Sequence, residues 1–113
     1  MKILLAVVAL LGAVLLVSQL VFRSRGAVAR RWVAQEGALL LDVRSENEFA
    51  AGHLPGAVNV PVTQLSTQLG TLGDKGRPIV VYCASGMRST RASSLLRDAG
   101  FSRVLNLGGM SAW

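Results

Sequence analysis

The one cysteine of this chain, Cys83, closes the apolar run Ile79-Val80-Val81-Tyr82 and opens the segment Ala84-Ser85-Gly86-Met87-Arg88-Ser89. Apolar and aromatic residues running straight into a cysteine read as a buried parallel strand. Ser89 to Ala99 reads as the helix that follows, with Ala92, Leu95, Leu96 and Ala99 at i, i+3, i+4 and i+7 on one apolar face. Ala84 to Arg88 is then a loop so short that its N–H groups must curl around one point, beside a helix N-terminus whose partial positive charge favours an anion. The sulfur of Cys83 sits at that point. Such surroundings lower a thiol's pKa from roughly 8.5 into the range where it is a nucleophile near neutral pH. With one cysteine and one histidine, the chain has no internal disulfide and too few ligands for a zinc constellation, so neither a metal nor a cofactor is expected.

The elements that must hold this sulfur follow from the pattern of apolar and breaker residues. Ala27 to Gln35 suits a short helix, ended at Gly37 before an apolar strand from Ala38 to Val43. Ser45 and Glu48 form an S-x-x-E capping box for a brief helix through about Ala51, and Gly52 to Gly56 is a turn. Ala57 to Val60 is a second strand ending at Pro61. Val62 to Leu69 is expected to be a second helix, followed by the polar linker Gly73-Asp74-Lys75-Gly76-Arg77-Pro78. After the strand and helix around Cys83, Gly100 is a C′ cap, Arg103 to Leu107 a fourth strand, and Gly108-Gly109 a turn into a helix starting at Ser111. Alternating strands and helices imply an α/β domain: a small parallel sheet covered on both faces, with ligands bound outside the carboxyl ends of its strands.

Ahead of this domain lies an almost unbroken apolar run, Ile3 to Phe22, which as a helix would span about 30 Å, the thickness of a bilayer's hydrocarbon core. Residues 1–25 are therefore expected to be a transmembrane anchor and residues 26–113 one small domain. The formal charge of +6 belongs mostly to the anchor's flanks, because Lys2, Arg23, Arg25, Arg30 and Arg31 lie there, while from Trp32 onward seven basic residues face six acidic ones. A domain near +1 offers nucleic acid no basic face, and nucleic-acid binding is rejected. Ala27-Val28-Ala29 has the form of a signal-peptidase site, but the apolar run is longer than the roughly 7 to 15 residues of a signal peptide. An uncleaved single-pass anchor fits better. Four arginines follow the span and only Lys2 and the amino group precede it, so the positive-inside rule places the domain in the cytoplasm; a cleaved or reversed segment would place it in the periplasm.

Cys83-Ala84-Ser85-Gly86-Met87-Arg88-Ser89 resembles the active-site loop of the rhodanese, or sulfurtransferase, family. Leu40-Leu41-Asp42-Val43-Arg44, Gly52-His53-Leu54-Pro55-Gly56-Ala57, Asn59-Val60-Pro61 and Leu107-Gly108-Gly109-Met110-Ser111-Ala112-Trp113 resemble its other signature stretches, in the family's order, so the likeness covers about Val33 to Trp113. The resemblance implies a rhodanese-like fold and a thiosulfate sulfurtransferase. Thiolate Cys83 would take a sulfane sulfur as a persulfide and pass it to cyanide or a thiol, in the ping-pong manner of covalent catalysis. The amides of Ala84, Ser85, Gly86, Met87, Arg88 and Ser89 would cradle the charged sulfur, Gly86 giving the backbone its freedom to approach, and Arg88 would attract the anionic donor. Arginine stands five positions after the cysteine, C-x4-R, where cysteine-dependent phosphatases resemble C-x5-R, and the smaller ring suits sulfur better than a tetrahedral phosphate.

Other charged residues take supporting roles. Asp42 and Arg44 read as a short-range charge pair and cap at a strand end, His53 as a loop hydrogen-bonder, and Arg91 as rim charge. Ala84, Ser85 and Met87 carry no charge, which leaves Arg88 and Arg91 to bind thiosulfate. Rhodanese-like domains usually continue through a C-terminal helix, whereas the last helix here is a stub at Trp113. The expected partners are a small sulfur-containing anion, a thiol acceptor, the membrane through the N-terminal helix and a membrane protein. A persulfide carrier or thiol redox sensor serving such a protein is the non-enzymatic alternative, and a catalytically idle module is disfavoured by Cys83 itself.

Overall fold

The computed structural model describes residues 1–113, the side chains of 21–23 excepted; Val21, Phe22 and Arg23, counted above with the anchor and its flank, lie outside the described side chains. Helix α1 runs from Lys2–Gln35 as one element rather than as an anchor and a separate short helix from Ala27. No proline interrupts the chain between them, and the helix continues through Ser24 and Gly26. The helix ends where the amides of Glu36 and Ala38 both bond to the Trp32 carbonyl, at 3.0 and 3.1 Å.

Strands β1 (Leu39–Asp42), β2 (Val58–Asn59), β3 (Ile79–Cys83) and β4 (Val104–Gly109) form one parallel sheet in the order β2-β1-β3-β4. Helix α2 (Glu46–Ala51) follows β1, and helix α3 (Met87–Asp98) follows β3. Every residue of β1 and β3 is buried, as the unbroken apolar runs require of central parallel strands. The period-two alternation then sorts them between two cores. Leu39, Leu41, Ile79, Val81 and Cys83 face Leu65, Leu72, Ala92, Leu96 and Phe101, while Leu40, Val80, Tyr82 and Leu107 face Leu54, Ala112 and the last turns of α1, where Ala29 is fully buried.

Three expected elements differ. Val62 to Leu69 is not an α-helix but two single 3-10 turns, Leu65–Thr67 and Leu69–Thr71. The hydroxyls of Thr67 and Thr71 bond the carbonyls three residues back, at 2.8 and 2.7 Å, and so compete for the groups a helix would use. Gly108 and Gly109 are part of β4 rather than a turn, because an extra residue in β4 pairs Tyr82 with Gly108 and Cys83 with Gly109. The segment after them is one 3-10 turn, Met110–Ala112.

The chain leaves β1 towards β2 on one side and reaches β3 and β4 on the other, so the connections diverge at the carboxyl ends of β1 and β3. Crevices at such a switch point are where parallel sheets bind ligands. Cys83 ends β3 there, and Asp42 ends β1.

Candidate active site

Cys83 has no exposed surface, and the side of β3 it occupies belongs to the core between the sheet and α3. Its sulfur nevertheless faces backbone amides: Gly86 N–H donates to Sγ at 2.9 Å. Gly86 is the N-cap of α3 and takes φ 109°, a left-handed conformation that a residue with a Cβ adopts only under strain. That turn is what aims the amide back at the sulfur. Burial pushes the thiol's pKa up and is the largest single influence, but the Ser89 hydroxyl and amide together with the Gly86 and Ser85 amides outweigh it, and the net direction is down from 9.0. Ser89, itself fully buried, has one hydroxyl proton and two acceptors in reach, the sulfur and the Gly86 carbonyl at 3.0 Å. A charged sulfur is the stronger acceptor of the two.

The remaining loop positions divide by exposure. Ala84, Ser85 and Met87 stand out from the surface, Met87 by 84 %, and Arg88 is half-buried. Its guanidinium is not an open cation: Nη1 and Nη2 donate to the two carboxylate oxygens of Glu48, at 2.6 and 3.0 Å. The pair holds Glu48 down to about 2, Arg88 first and the Ser45 amide and hydroxyl after it. Ser45 and Glu48 do form the capping box of α2, so the residue that caps that helix also ties it to the Cys83 loop.

Asp42 and Arg44 are both buried and make a forked ion pair, with Nη2 to Oδ2 at 2.7 Å and the Arg44 amide to Oδ1 at 2.9 Å. Arg44 also donates to the Gly52 carbonyl at 2.6 Å, which binds the turn after α2 to the end of β1. His53 is exposed, bonded through Nδ1 to the Phe49 carbonyl and stacked on the Phe49 ring at 3.7 Å. Arg91 is exposed on α3.

Residues 27–113 match the rhodanese-like domain family. The chain belongs to that family. It is 38 % identical over 88 residues to a sulfurtransferase of Allochromatium vinosum, covering 77 % of this chain and 81 % of that protein. It is 31 % identical over 97 residues to the thiosulfate sulfurtransferase PspE of Escherichia coli, covering 85 % and 86 %. Among solved structures, the human single-domain sulfurtransferase TSTD1 superposes with a TM-score of 0.65 at 29 % identity, over 77 % of this chain and 87 % of that one. A rhodanese with anions from Escherichia coli gives a TM-score of 0.64 at 30 % identity, over 67 % and 91 %. The rhodanese-like fold and sulfur transfer as a class of activity thus stand together.

In this rhodanese-like domain several residues beside the loop take roles that a reading of the sequence does not assign them. A Cβ on Gly109 would lie 2.7 Å from the Ala84 carbonyl oxygen, so only glycine lets β4 come this close to the loop. Asn106 donates to Thr90 at 3.1 Å and Thr90 to the Gly86 carbonyl at 2.8 Å, a chain that links β4 to the loop's turn. Asn59 donates to the carbonyls of Asp42 and Arg44 at 3.0 and 2.9 Å. The glycine pair that ends β4 is a visible signal of close approach, whereas nothing local to the asparagines shows their hydrogen bonds.

Proposed function

We propose that the chain is a membrane-anchored, rhodanese-type thiosulfate sulfurtransferase that works through a persulfide on Cys83. The observation that carries this is the sulfur of Cys83 under the Gly86 amide at the N-terminus of α3, its pKa drawn down in spite of burial. The Cys83 thiolate attacks the outer sulfur of thiosulfate, the sulfur–sulfur bond of the donor breaks, and sulfite departs with the bonding electrons. A persulfide anion remains on Cys83. Cyanide or an acceptor thiolate then attacks the outer sulfur, forming thiocyanate or a new persulfide and returning the Cys83 thiolate. The amides of Ser85, Gly86 and Ser89 stabilise the anionic sulfur at each stage, as preorganised donors do for developing charge. Cys83 has no exposed surface, so the atoms around it must part for a donor to reach the sulfur.

The exposed apolar residues of α1, from Ile3 to Leu20, are long enough to cross a bilayer. The arginines after them favour a cytoplasmic domain. Ala29 lies in the domain's core, which speaks for an intact helix over cleavage after Ala27-Val28-Ala29.

The test is intact mass spectrometry of the full chain in detergent after incubation with thiosulfate. Gain of one sulfur, absent in Cys83→Ser and removed by cyanide with release of thiocyanate, is the expected result. No gain with thiosulfate or any other sulfane donor would overturn the assignment.

A further inference from the structure

The loop's own cation is committed to Glu48, and it lines a small recess of about 110 Å³ with Val43, Ser45, Pro61, Val62 and Thr63. A much larger cavity, about 610 Å³, opens on the other flank of the loop. Ser85, Met87 and Thr90 form one wall, Asn106 and Ser111 another, and Arg25 of α1 a third. Among the described residues Arg25 is the only charged one that lines it, and it makes no ion pair with any of them. Its position is set by packing. A Cβ on the next residue, Gly26, would collide with the Ala112 carbonyl, so α1 lies directly against the turn that follows β4. Three residues beyond Gly26, Ala29 is fully buried, and Trp32 and Val33 pack on the same core. The helix that leads out of the domain therefore delivers a cation to the side of the Cys83 loop.

We propose that this cavity binds an anionic organic sulfur substrate, a carboxylate-bearing thiol or its persulfide, with Arg25 holding the carboxylate. The proposal rests on the sulfurtransferase assignment for the chemistry that follows binding. Size argues for an organic ligand: cavities of roughly 300 to 1,000 Å³ suit molecules far larger than the five-atom thiosulfate ion. Charge argues for an anion, since the one ionic lining group among the described residues is a guanidinium, which matches a carboxylate in fork geometry. Position argues for a substrate of the same reaction, because Ala84, Ser85 and Gly86, the residues that follow Cys83 in its loop, line the cavity.

The test uses the full chain in detergent, where membrane topology plays no part, and S-methylglutathione as a carboxylate-bearing probe that cannot accept sulfur. Calorimetric titration is expected to show binding that weakens roughly ten-fold in Arg25→Gln, the order lost with one charge pair near a protein surface, and that Arg25→Lys, which keeps the charge but not the fork, restores in part. Arg31→Gln, which removes an exposed charge from the same helix outside the cavity, should leave the affinity unchanged. Equal binding by wild type and Arg25→Gln, or an equal loss in Arg31→Gln, would overturn the proposal; so would absence of binding to the wild type. Loading of Cys83 by thiosulfate is measured in parallel. A wild type that binds the probe through Arg25 but never gains sulfur refutes the sulfurtransferase assignment alone, and one that loads sulfur while Arg25→Gln binds normally refutes the cavity alone.

Discussion

At the scale of single residues, the chemistry depends on Cys83 being ionised inside a core that by itself would keep it neutral. Desolvation opposes the anion, and the Ser89 hydroxyl is the foremost group acting the other way. Ser89→Ala removes it and leaves the backbone donors in place. The expected outcome is a thiol pKa shifted upward and persulfide loading near neutral pH slowed about ten-fold, the scale of one hydrogen bond to a charged group. A pH–rate profile checks this, because the rate should recover at alkaline pH where the thiol ionises unaided. Cys83, Gly86 and the short loop were legible in the sequence, since a lone cysteine between an apolar run and a helix leaves few alternatives. The partner of Arg88 was not. Glu48 lies 40 positions away, and its local role as a capping residue gave no sign of a second one.

At the scale of elements, Glu48 couples α2 to the Cys83 loop by an ionic contact, and the contact has a pH signature. A carboxylate whose pKa is depressed in the folded state contributes stability above its ordinary pKa and loses it as pH falls through the folded value. For Glu48 that window runs from 4.5 down to about 2. Denaturant unfolding across this range should therefore show stability falling with acid in the wild type, and a flatter stretch in Glu48→Gln. An unchanged slope would mean that the pair is absent in solution. Strands β1 and β3 and helices α2 and α3 could be read from apolar runs, a capping box and periodicity. The stretch from Val62 to Leu69 could not, because its apolar spacing suits a helix while its threonine hydroxyls bond the backbone locally. Nor could the bulge in β4, since the insertion of one residue depends on how Gly109 meets Ala84 across the sheet.

At the scale of the whole molecule, α1 serves two ends: its first part is an exposed apolar helix, and its last turns cover one face of the sheet. The apolar run and the fold class were plain from composition and alternation. The continuity was not, for only the tertiary contacts of Gly26 and Ala29 show that the helix leaves the domain as part of it. A chain shortened to begin at Ala38 would uncover Val80, Tyr82 and Leu107, whereas one beginning at Arg25 keeps their cover. Loss of the packing made by Ala29, Trp32 and Val33 should lower stability by about 3 to 5 kcal/mol, a large share of what a domain this small possesses. Thermal unfolding of the two shortened chains compares them directly. Equal melting temperatures would show that the helix is a tether and no part of the core.

Sulfur transfer through Cys83 requires that its buried sulfur ionise more readily than an ordinary thiol. Alkylation of the full chain by iodoacetamide across a pH series, with the modified residue located by mass spectrometry, reports that ionisation. A reaction midpoint below the roughly 8.5 of an ordinary thiol, shifted upward in Ser89→Ala, is the result expected here. A midpoint at or above that value in the wild type would contradict it, because the amides of the loop would then be failing to hold the thiolate.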